Sequence, residues 1–107
     1  MEKEQWQRLY EVLDNIYSDF HFAYSDYKDG KNKKIRTEAE RKVDNAIRLA
    51  DYHIRRNGEA FELLTGGENI DGFSRVVIYD EFVLPRYFAN DLSEFLDKIK
   101  LKIKSLE

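Results

Sequence analysis

The sequence predicts an α+β domain of order α-α-β-β(-β)-α: an antiparallel helical hairpin, a small antiparallel sheet of two or three strands, and a C-terminal helix. Three observations predict it. Residues Trp6, Tyr10, Leu13, Tyr17, Phe20, Tyr24 and Tyr27 recur at steps of four and three, the spacing of a helix with one apolar face. Ala39, Val43, Ala46, Ile47, Ala50 and Ile54 repeat at helical spacing with mostly small side chains. Phe73 to Tyr79 (FSRVVIY) is rich in β-branched and aromatic residues, as strands are.

The first helix is expected to begin within the first five residues and to end near Asp29-Gly30, with the glycine as a left-handed C-cap. Leu9, Ile16 and Ala23 widen its stripe to the breadth of a helix facing a globular core. Lys31 to Lys34 reads as a loop with no apolar residue, and Thr37-Glu38-Ala39-Glu40 as a capping box that opens the second helix. That helix should run to about Asn57 and stop at Gly58. Small residues opposite bulky aromatics let two helices approach closely, so residues 5–57 form the expected hairpin. An acidic first helix against a basic second fits the pairing.

Glu59 to Thr65 is ambiguous. Phe61 and Leu63 alternate as in a strand, while Ala60, Phe61 and Leu64 suit a short helix closed by Gly66-Gly67. The strand is favoured, joined through residues 66–72 to the strand at 73–79. Phe82 to Leu84 would add a third short strand, ended or confined to an edge by Pro85. Asn90 or Asp91 then caps the last helix, with Leu92, Phe95, Leu96, Ile99, Ile103 and Leu106 as its stripe. A start at Pro85 is the alternative. Lys98 to Lys104 alternates like a strand, but the unbroken stripe favours a helix that leaves Leu101 in solvent.

One domain suits a chain of 107 residues, which buries roughly two-thirds of its unfolded surface. Apolar content of 42% and a single proline exclude intrinsic disorder and leave no obvious linker. No apolar run approaches the length of a membrane span and no signal-peptide pattern opens the chain, so the cytoplasm is the expected compartment. Without cysteine there is no disulfide, no thiolate nucleophile and no cysteine-ligated zinc.

The net charge of −3 argues against a dedicated nucleic-acid binder. Yet the charge falls in blocks. Residues 1–27 carry two basic and six acidic side chains, and residues 28–58 carry ten and five. Residues 59–97 carry two and nine, and the last ten carry four lysines and one glutamate.

Catalytic chemistry has little to work with. His21 lies off the helical stripe, His53 sits at the edge of the small-residue face, and no metal-ligand spacing joins them. Asp80-Glu81 would point to opposite faces of a strand. Asp26 to Gly30 lacks the alternate carboxylates and closing glutamate of a calcium loop. There is no phosphate loop and no Gly-x-Ser-x-Gly elbow. No metal or cofactor is expected, and no motif is specific enough to identify a family.

Two features suit binding. The tyrosine flank of the first helix (Tyr10, Tyr17, Tyr24 and Tyr27) offers apolar rings with polar tips, a composition enriched in interface cores. Lys31, Lys33, Lys34 and Arg36 could hold an anion. The expected function is a small non-enzymatic protein-binding module of inhibitor, immunity or regulatory type, which occupies a partner protein's surface. The alternative is a nucleic-acid-associated protein using residues 28–56 and the lysine-rich C-terminus. An enzyme using His53 with carboxylates of the second half ranks third. A homodimer through the first helix is also expected, because that helix should span or overhang a compact globule of this size.

Overall fold

The computed structural model describes residues 1–67 and 84–107, with side chains in the last helix from Phe88 onward. Among the described residues the fold is all-α, which corrects the α+β expectation. Four helices stand in order: α1 (Lys3–Asp29), α2 (Lys33–Arg56), α3 (Gly58–Thr65) and α4 (Leu84–Ser105). The expected strand at 73–79 lies outside the described residues.

Helix α1 is the axis of the molecule. Its 27 residues rise about 1.5 Å each, so it runs about 40 Å. The molecule measures 47 × 25 × 18 Å, so this helix sets its long dimension, as the stripe implied. Trp6, Leu9, Leu13, Ile16, Phe20 and Ala23 are buried along it. Helix α2 lies antiparallel beside it and buries Ala39, Val43, Ala46, Ala50 and Ile54, the face the spacing predicts. On its other side α1 meets α4, also antiparallel. The Phe88 ring lies 4.9 Å from Phe20, and at the far end Lys3 Nζ reaches Glu107 Oε1 at 3.7 Å.

The hairpin corner differs from expectation in two ways. Gly30 has φ −58°, so it is no left-handed cap. Its lack of a side chain matters for space instead. A Cβ there would sit 2.6 Å from the Asp26 carbonyl oxygen and 2.7 Å from Arg36 Cγ. The second helix also starts four residues before the expected Thr37 box. Asn32 caps it, its Oδ1 accepting from the Ile35 backbone N–H at 2.9 Å. Lys33 and Lys34 therefore belong to the first turn of α2 rather than to a loop, and the connection shrinks to Gly30-Lys31-Asn32.

Residues 59–65 are helical, not a strand. Asn57 ends α2 by donating its backbone N–H to the carbonyls of His53 and Ile54, and its own carbonyl accepts from Phe61 to start α3. Ala60 and Phe61 are buried while Leu63 is 63% exposed; a strand would have put Phe61 and Leu63 on one face. Gly66, at φ +71°, is the left-handed cap, and the Gly67 N–H donates back to the Glu62 carbonyl. The ring of Phe61 then packs on Phe95 of α4 at 5.4 Å.

The last helix begins at Leu84, close to the Pro85 alternative, and so overturns the cap at Asn90 or Asp91; of the expected third strand, Leu84 is helical and Phe82 and Val83 lie outside the described residues. Proline costs nothing in a first turn, where its missing N–H has no helical partner. The longer helix carries Phe88 into the core, one turn ahead of Leu92, Phe95, Leu96 and Ile99. Residues 98–104 are helical and Leu101 is 68% exposed, as the stripe requires. Leu106 falls beyond the helix end and is exposed rather than part of the stripe. No helix among the described residues is long and apolar enough to cross a membrane.

Two stability predictions follow from the corner. Gly30→Ala forces a methyl against a backbone oxygen, and should destabilise by about 1–3 kcal/mol, read as a lower midpoint in urea unfolding. Lys34→Glu should do the reverse. It exchanges a cation for an anion at the positive end of the α2 dipole, with an expected gain of about 0.3–1 kcal/mol that shrinks as salt is added.

Candidate functional site

The four sequence-predicted tyrosines are half-buried shoulders of α1. Tyr10, Tyr17 and Tyr24 pack against the core cluster. Phe20 stacks on Tyr24 at 5.6 Å, and Tyr24 on Tyr27 at 6.4 Å, so a ladder of rings climbs from Phe88 through Phe20 to the surface. Lys28 Nζ covers the outer ladder, 5.6 Å from the Tyr24 ring centroid. Tyr17 is edge-on to exposed His21 at 4.4 Å. These rings already have intramolecular partners, which leaves them part of their area for another molecule.

The opposite flank of α1 is more open. Between α1 and α2 runs a furrow of about 340 Å³ lined by Ile16, Asp19, Phe22, Ala23 and Asp26 of α1 and Lys42, Asn45, Ala46 and Leu49 of α2. The short side chains of Ala23 and Ala46 lie among its lining. Phe22 stands at its edge 77% exposed, and Leu49 is 42% exposed. A second hollow of about 290 Å³ continues it towards the chain start, lined by Met1, Gln5, Arg8, Leu9, Val12, His53 and Asn57. The residues that α1 contributes, from Gln5 through Arg8, Val12 and Asp19 to Asp26, follow one helical row, so the two hollows lie on the same side of the hairpin. Sequence reasoning missed Phe22. The signal was available: it is an aromatic residue almost opposite the apolar stripe, where the fold has no use for it.

Lys31, Lys33, Lys34 and Arg36 are all exposed at the closed end of the hairpin, clustered around the start of α2. The C-terminal lysines lie at the other end of the molecule, where Glu107 meets Lys3. About 40 Å of α1 separates the two sets, several Debye lengths at physiological salt. Along α2 itself, Arg41, Arg48 and Arg55 pair with Glu38, Asp44 and Asp51 of the same helix. His53 is half-buried and edge-on to Tyr52 at 5.1 Å, and the hollow it lines contains no carboxylate. Among the described residues no three His, Asp or Glu side chains converge to hold a metal ion.

No protein-family model, curated protein or solved structure matches this chain.

With its basic groups split between two ends and much of α2's charge paired internally, the chain should bind DNA or RNA only weakly at physiological salt, as followed by fluorescence anisotropy. Sub-micromolar affinity that falls by orders of magnitude between about 50 and 200 mM salt would show instead that the two ends act together.

Proposed function

We propose that this chain is a non-enzymatic protein-binding module of inhibitor, immunity or regulatory type, acting in the cytoplasm by laying the α1–α2 face against a partner protein. The observation that carries this reading is Phe22, 77% exposed beside the furrow that Ile16, Ala23, Ala46 and Leu49 line. The surroundings have the anatomy of an interface: an apolar centre with an aromatic anchor, and a polar rim of Asp19, Asp26, Lys42 and Asn45. The tyrosine flank is a second, less open contact area, since its rings are already partly packed.

The magnitude is adequate. Fully burying a phenylalanine side chain is worth about 1.5–3 kcal/mol, roughly a tenfold to hundredfold change in affinity. A partner captured from the native host on the immobilised protein should therefore be lost with Phe22→Ser. It should be retained with Leu101→Ser, a control on α4 that removes an equally exposed apolar side chain, 68% exposed. Equal loss with both variants, or with neither, would mean that the furrow is not the binding face.

A further inference from the structure

We propose that the occupant of the furrow is a second copy of this chain, docked antiparallel across a two-fold axis; the proposal rests on the furrow being the binding face. Its basis is that the furrow is complementary to itself. A two-fold interface requires that whatever residue i meets at j, residue j meets at i. A knob at one end must therefore find a hole at the other, and charges must reverse between the ends.

Both conditions are met about one centre. Phe22 is the knob, and the hollow beside Val12 is the hole. They lie equally far along α1 on either side of position 17. Asp26 and Arg8 lie equally far on either side of the same position, one in each hollow. A two-fold axis at that level, perpendicular to α1, brings each Phe22 level with the hollow beside Val12 of the second copy. The same rotation sets each Asp26 carboxylate opposite the second copy's Arg8 guanidinium. Leu49, 42% exposed, lines the same hollow as Ile16 and Asp19, so it adds apolar surface to the face that the axis crosses.

The charges are available for this. Arg8, Asp19 and Asp26 make no ion pair among the described residues, whereas Arg41, Arg48 and Arg55 of α2 use carboxylates of their own helix. The area also suffices. Two helices side by side, each about 10 Å across and the longer about 40 Å long, present roughly 800 Å², the size of one partner's share in a standard stable interface.

Sedimentation and light scattering on the full chain at micromolar concentration should give twice the 12.8 kDa chain mass. Phe22→Ser, Arg8→Glu and Asp26→Arg should each weaken the dimer about tenfold or more. The double variant Arg8→Glu/Asp26→Arg, which restores opposite charges across the axis, should recover most of the loss. All three positions are exposed, so circular dichroism and the fluorescence of buried Trp6 should report an unchanged fold. A monomer up to sub-millimolar concentration overturns the proposal. So does a dimer indifferent to Phe22 and Arg8, or a double variant no better than the singles. A monomeric chain that still loses a different captured protein with Phe22→Ser would show the furrow to be a binding face with another occupant. Phe22→Ser without effect on either measurement would remove both readings.

Discussion

The fold depends on how closely α2 approaches α1. Ala46 and Ala50 are almost fully buried in α2, and they share one core cluster with the bulkier Leu9, Leu13, Ile16 and Phe20 of α1. Short side chains on one helix let the other sink its large ones into the seam, and dispersion contacts accumulate along some ten turns of helix between them. Gly30 is the condition for that approach at the corner, where the chain turns beneath Arg36 with no room for a methyl group. The same small residues have a consequence at the surface. The groove beside the seam is lined by Ala46, with Ala23 of α1, and Phe22 and Leu49 are its exposed apolar residues.

Electrostatics shape this molecule less than its charge blocks suggest. Among the described residues no ion pair joins the basic second helix to the acidic first; Arg41, Arg48 and Arg55 turn to carboxylates three or four residues away in α2. Such exposed pairs are worth a few tenths of a kcal/mol each. Lys33 and Lys34 sit at the wrong end of a helix dipole. Burial dominates instead, strongly enough to tolerate a polar defect: Trp6 is 1% exposed and its Nε1–H has no acceptor among the described residues. An orphaned donor costs about 1–3 kcal/mol, which the large apolar area of a buried indole offsets.

Much of this was legible in the sequence, and the failures share a cause. The stripes of α1, α2 and α4 were readable because each repeats over several turns, so one dissenting position cannot hide the period. Even Leu101 was placed in solvent against the local alternation of residues 98–104. What failed was short or local. Asn32 and Thr37 are both good caps, and nothing within the sequence says which the chain will use. Glu59 to Thr65 spans only two turns, too few for helical and strand periods to separate; burial of Phe61 against Phe95, a contact distant in sequence, decides it. For the candidate site, the tyrosines were found by their regularity, and that regularity is why the core absorbs much of them.

Phe22 is the reverse case. Each other aromatic of α1 has a structural account: Trp6 and Phe20 fill the core, Tyr10 and Tyr17 pack along its edge, and Tyr24 and Tyr27 extend the ring ladder. Phe22 adds almost nothing to that core, and in an exposed helix position it is a poorer helix former than alanine, lysine or glutamate. It also places an apolar ring in water beside further apolar surface, which favours association. Such a residue, lining a hollow with Ala23, Asp26 and Leu49 on the open side of the hairpin, is the ground for proposing a binding face there. The core of α1 therefore accounts for the fold, and Phe22, an aromatic residue with no ring partner among the described residues, marks the surface on which the proposed function is to be sought.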